Sequence, residues 1–139
     1  MTGMEDPIVK LIQLKNKGYC CSQILMMLDL TKRGRTNDDL VRSLGGLCYG
    51  VYLGEVCGAL SGGAALISLY AGKGSDAEVP HEYYKAMLIE LAQWFKEEAD
   101  AEYGGVRCDD ILEKFPKQAA CGRIMTTTYD KCLEILANH

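Results

Sequence analysis

From Val56 to Gly72 the chain carries no charged side chain and is crowded with small ones. Its centre reads Cys57-Gly58-Ala59-Leu60-Ser61-Gly62-Gly63-Ala64-Ala65. Such a run is too short and too rich in Gly, Ala and Ser to span a bilayer, so it reads as a helix buried in a protein core. Each helical glycine costs on the order of 1 kcal/mol against alanine. Gly58 and Gly62, like Ala59 and Gly63, are four residues apart and share a helix face. Small residues at that spacing let another backbone, a ligand or a second copy of the chain come close, which offsets the cost. A homodimer packed through this face is therefore one expectation, and close packing within one chain is the other.

The remaining pattern is helical almost throughout. Asp6-Pro7 caps and starts a first helix carrying Ile8, Leu11 and Ile12. Gly18 stops it. A second helix is expected over about 19–30, with Cys21, Ile24, Leu25 and Leu28 on one face. Asn37 caps a third, whose first turn holds Asp38 and Asp39. The stretch 46–54 reads as a tight connection. Pro80 opens the longest helix, to about Tyr103, with Tyr84, Met87, Leu88, Leu91, Trp94 and Phe95 facing inward. A short helix follows with Cys108, Ile111, Leu112 and Phe115, stopped by Pro116. Thr126-Thr127-Thr128 reads as capping material for a last helix ending near Ala137. No alternation of strand type competes. The expectation is an all-α fold, an irregular bundle of five to six helices, with residues 1–139 forming a single cysteine-rich domain.

The net charge is −4, and no basic run exists. Nucleic acid is thus excluded as the main partner, since phosphate binding needs clustered positive charge. The start, Met1 to Pro7, lacks the basic and apolar segments of an export leader. The expected compartment is the cytoplasm, where thiols stay reduced.

Seven cysteines stand at positions 20, 21, 48, 57, 108, 121 and 132, and none forms a Cys-x-x-Cys pair. An odd count resists a full disulfide framework. Cys21, Cys57, Cys108 and Cys132 lie on the apolar faces of four different helices, so they can share one interior. Free cysteine is also an ordinary small core residue. Cys21, Cys57 and Cys108 fall near helix starts, where the dipole and free N–H groups favour thiolate. Arg107 would favour a Cys108 thiolate, and Asp109 and Asp110 would oppose it.

These residues carry a resemblance. Cys21-Ser22-Gln23, the Cys57-Gly58-Ala59-x-x-Gly62 signature, Cys108-x-x-Ile111-Leu112 and the late Cys132 resemble the C-GCAxxG-C-C family of redox-active proteins in order and spacing. The resemblance covers nearly the whole chain. It implies that Cys21, Cys57, Cys108 and Cys132 are the functional thiols, and Gly58, Ala59, Gly62 and Cys48 are taken as supporting residues. Cys20, Cys48 and Cys121 are extra to the pattern, and Cys48 falls where the family usually has glycine.

Three readings of different class follow. The first is thiol–disulfide redox chemistry of an oxidoreductase-like kind, needing no cofactor, with Cys57 as attacking sulfur, Cys21 or Cys108 resolving, and a redox partner protein. The second is a thiolate site in which Cys21, Cys57, Cys108 and Cys132 hold Zn²⁺ or an iron–sulfur cluster. The third is a non-catalytic helical interaction module with buried cysteines.

Overall fold

The computed structural model describes residues 6–139; the leader-free reading of Met1 to Glu5 lies outside them. Among the described residues there are seven α-helices: α1 (Pro7–Asn16), α2 (Cys21–Lys32), α3 (Asp38–Leu44), α4 (Gly58–Ala71), α5 (Tyr84–Glu98), α6 (Cys108–Lys114) and α7 (Cys121–Asn138). The class is all-α, with one or two helices more than the pattern predicted.

Several boundaries follow directly from residue chemistry. The Asp6 carboxylate accepts from the Ile8 N–H at 2.9 Å, and Pro7 occupies the first turn of α1. The Asn37 side chain accepts from the Leu40 N–H at 3.1 Å and opens α3. In α1 the buried residues are Leu11 and Leu14, whereas Ile8 and Ile12 face outward. The long helix begins at Tyr84, four residues after Pro80, and continues past Glu98 as a wider π-type turn to Tyr103.

α7 departs most from expectation. It starts at Cys121, well before the threonine triplet. The threonines do not cap it. Thr126 and Thr127 donate back to the carbonyls of Gly122 and Arg123, at 3.2 and 2.8 Å, as hydroxyls do inside a helix.

The core centres on α4, which packs most extensively on α2 and then on α5 and α7. Its small residues make those contacts within one chain. A Cβ on Gly62 would lie 2.7 Å from Ser22 Cα, so α2 and α4 touch backbone to backbone there. A Cβ on Gly63 would press on Cys132 Sγ, Thr128 Cγ2 and Leu91 Cδ2 at 3.1 to 3.3 Å. The signature spacing thus serves close helix packing inside the molecule.

One acidic side chain sits among the apolar residues of α2. Asp29 is 2% exposed; it accepts from Tyr70 Oη at 2.8 and 2.9 Å and from Arg33 Nε at 2.9 Å. That partnership satisfies the buried carboxylate. Among the described residues no helix is long and apolar enough to cross a membrane.

Candidate functional site

Three short devices gather cysteines at one end of the helices. The first is the backbone approach of α2 to α4, which sets Cys21, first residue of α2, beside Cys57, the residue capping α4. A Cβ on Gly58 would already stand 3.4 Å from Cys21 Cβ.

The second is an isolated antiparallel bridge between Val56 and Arg107. The Cys57 N–H donates to the Val106 carbonyl at 2.9 Å, and the Cys108 N–H donates to the Glu55 carbonyl at 2.7 Å. Arg107 grips the Glu55 carboxylate through Nε and Nη2 at 3.1 and 3.3 Å. Two residues far apart in sequence are thereby held side by side.

The third is the early start of α7, which makes Cys121 the first residue of a helix packed on α1 and α2. All four free thiols of this end therefore stand at helix starts: Cys21, Cys57, Cys108 and Cys121.

The thiols sort into two neighbouring pairs, Cys57 with Cys108 and Cys21 with Cys121. Cys57 donates to Cys108, and this bond, helped by the Gly58 N–H, brings Cys108 down to about 7 against the opposing effects of burial and Asp109. Cys57 itself is driven well above the ordinary thiol range, first by that bond and then by burial. The direction is physically sound, because Cys57 is only 4% exposed and the more buried sulfur keeps the proton. Cys21 donates in the same way to Cys121, which is lowered to about 7, with Lys15 adding a favourable charge. Cys21 is pushed far up by that bond, by burial and by the neighbouring sulfurs. Arg107 does not act on Cys108 as the sequence suggested, since its guanidinium is engaged by Glu55.

Both pairs open on one cavity of about 370 Å³. Cys20 and Cys48 line it as well, joined as a disulfide with Cα atoms 6.0 Å apart, within the usual span. Ser22 Oγ sits between them and α3. It donates to the Leu44 carbonyl at 2.7 Å and lies 3.4 Å from Cys48 Sγ. The rest of the wall is mostly apolar, with Ile24, Ile111, Leu112, Ile124 and Met125, and with Tyr19, Tyr49 and Tyr52 adding aromatic side chains.

The wall between Cys48 and Cys57 is strained. Tyr49, Val51 and Tyr52 have φ of 48°, 57° and 60°, a left-handed turn that costs non-glycine residues roughly 1–2 kcal/mol each. Gly54 closes this turn at φ 72°, and an added Cβ there would run into the Asp109 carboxylate. The same carboxylate accepts from Tyr49 Oη, tying the turn to α6.

Of the four thiols singled out by sequence, the structure brings Cys21, Cys57 and Cys108 together. Cys132 lies elsewhere. It is fully buried in the core, where its thiol donates to the Gly63 carbonyl at 3.5 Å, and burial pushes it up to about 12. Cys121 occupies the fourth place, and Cys20 and Cys48 complete the ring of sulfur. The signal for Cys121 was available. Gly122 through Asn138 continues one helical pattern, but the threonine triplet masked its beginning. Among the described residues no group of three or more Cys, His, Asp or Glu side chains is arranged to hold a metal ion.

A family model described as "Putative redox-active protein (C_GCAxxG_C_C)" matches residues 19–135. No match was found among curated proteins or among solved structures.

Proposed function

Because the chain belongs to the C_GCAxxG_C_C family of redox-active proteins, we propose that it is a two-electron thiol redox protein working through paired cysteines of one cavity. The observation that carries this reading is the pairing itself. Each pair couples a low thiolate, Cys108 or Cys121, to a protonated neighbour, Cys57 or Cys21. Thiol oxidation needs a stabilised thiolate and a second sulfur in reach.

The roles differ from those expected of Cys57. Cys108 is the attacking sulfur, since it carries the lower pKa and is the more exposed of its pair. It bonds to the acceptor. Cys57 then gives up its proton and attacks the Cys108 sulfur, the bond from Cys108 to the acceptor breaks, and the electron pair leaves with the reduced acceptor. A Cys57–Cys108 disulfide remains. A thiol reductant, such as a redox partner protein in the cytoplasm, returns it to the dithiol. Cys21 and Cys121 can run the same cycle. The Cys20–Cys48 disulfide holds the strained wall, and Gly58, Ala59 and Gly62 set the close helix contact that the pairs require.

The alternative of a Zn²⁺ or iron–sulfur site has to replace Cys132 with Cys121 as fourth ligand. Elemental analysis of protein purified without oxygen separates the two readings. Stoichiometric zinc or iron with all four cavity thiols protected from alkylation favours the metal. For the redox reading, mild oxidation with diamide lowers the free thiol count by two or four, and Cys108→Ser removes one pair. A count that stays unchanged after diamide contradicts the proposal.

A further inference from the structure

The cavity says more about the acceptor than the thiols do. This step rests on the redox reading above and names the class of molecule oxidised against it. We infer that the cavity holds a small, uncharged, flat two-electron acceptor of the quinone class.

Size comes first. About 370 Å³ is the low end of the range for small-molecule pockets, enough for one ring with short substituents. Charge comes second. Among the residues lining the cavity, Lys15 is the only cationic side chain and there is no carboxylate, and the charge of Lys15 is complemented by the neighbouring Cys121 thiol as it ionises. Carboxylates brought against Ile24, Ile111 and Leu112 would be stripped of water without a partner, at a cost of several kcal/mol or more. Oxidised glutathione, larger and anionic, suits this wall less well on both grounds. Shape comes third. Tyr19, Tyr49 and Tyr52 place three aromatic side chains on the wall, and aromatic rings pair better with a flat conjugated ring than with an aliphatic chain. Tyr49 and Tyr52 are also exposed, so the entrance lies on their side, beside the strained turn.

The chemistry balances. The Cys108 thiolate forms a C–S bond to the quinone ring. Cys57 loses its proton and attacks the Cys108 sulfur, forming the S–S bond and breaking the C–S bond. The electron pair leaves with the ring. The product takes the Cys57 proton and one more from water, giving hydroquinone and a Cys57–Cys108 disulfide. One quinone consumes one dithiol.

Duroquinone (tetramethyl-1,4-benzoquinone) tests this, because its fully substituted ring resists permanent addition of thiols. Fully reduced protein is mixed with it under argon. Quinol is followed by absorbance and protein by intact mass. The expected result is saturable oxidation, one quinol for each two hydrogens lost, with no added mass, at least tenfold faster than oxidised glutathione at equal concentration. Leu112→Glu, which puts a charge on the wall, should slow the duroquinone reaction tenfold or more. Tyr52→Glu, at a position 66% exposed, keeps this arm open should the first variant not fold. An unsaturable rate, a rate equalled by oxidised glutathione, or rates unmoved by the introduced charge overturns the inference. Diamide distinguishes the levels. If diamide closes the Cys57–Cys108 pair and duroquinone does not, the acceptor class fails and the redox reading stands. If neither closes it, both fail.

Discussion

Cys57 and Cys108 stand beside one another because their backbones pair, Cys57 N–H to Val106 at 2.9 Å and Cys108 N–H to Glu55 at 2.7 Å. The adjacency is thus fixed by main chain and does not depend on side-chain packing. Of the two thiols, buried Cys57 is pushed up and Cys108 is brought down to about 7, so ionisation falls first on the more exposed sulfur.

That division sets a pH dependence. Cys108 and Cys121 are lowered to about 7, so their thiolate fraction should rise through neutrality and vanish below about pH 5.5. Iodoacetamide labelling of the reduced protein should show a rate midpoint near 7 for these two residues, read by peptide mass. Cys57→Ala removes the donor to Cys108, and the midpoint for Cys108 should move up toward the ordinary thiol value. A midpoint that does not move would show that the hydrogen bond is not the cause.

The α2–α4 contact predicts opposite outcomes for two glycines. Gly62→Ala forces a Cβ to within 2.7 Å of Ser22 Cα and should cost about 1–3 kcal/mol in urea unfolding. In α7, Gly122 has open space around it, and Gly122→Ala should stabilise by up to about 1 kcal/mol. Equal effects at the two sites would contradict the packing described.

Val51 is 61% exposed and held at φ 57°. A β-branched residue is badly suited to that conformation. Val51→Gly should raise stability by about 1 kcal/mol, measured with the Cys20–Cys48 disulfide intact. Destabilisation would mean that the Val51 side chain makes a contact outweighing its strain.

Cys132 serves packing. Cys132→Ala should lower stability by about 1–2 kcal/mol through the void it leaves beside Gly63. The rate and stoichiometry of cavity thiol oxidation should not change. A lost disulfide in this variant would return Cys132 to the functional set.

Much of this was legible in the chain. Helical spacing gave the class and most of the elements. Asp6, Pro7 and Asn37 marked helix starts through ordinary capping chemistry, and the paired small residues of α4 announced a close approach. The partners of that approach were not legible, because periodicity describes one helix and says nothing about which neighbour it meets. Cys132 shared with Cys21 the apolar helix face and the family spacing, but not a place near a helix start; it lies about three turns into α7, away from the end at which Cys121 meets the cavity. Cys121 was missed for a local reason. Threonine caps helices and also bonds backward inside them, and sequence alone does not distinguish the two. The Val56–Arg107 bridge that sets Cys57 beside Cys108 is an isolated nonlocal backbone pairing, too short to leave an alternating pattern. The left-handed turn at 49–52 violates local preference outright, and it does so at the cavity wall, where strain and function commonly coincide.

Peptide mapping of disulfides after mild oxidation bears most directly on the spatial pairing of these sulfurs. Cross-linked peptides joining Cys57 to Cys108 and Cys21 to Cys121, beside Cys20–Cys48 and with Cys132 still free, are the predicted result. Oxidation that joins Cys132 to any cavity cysteine, or that leaves Cys57 and Cys108 both unpaired, would contradict it.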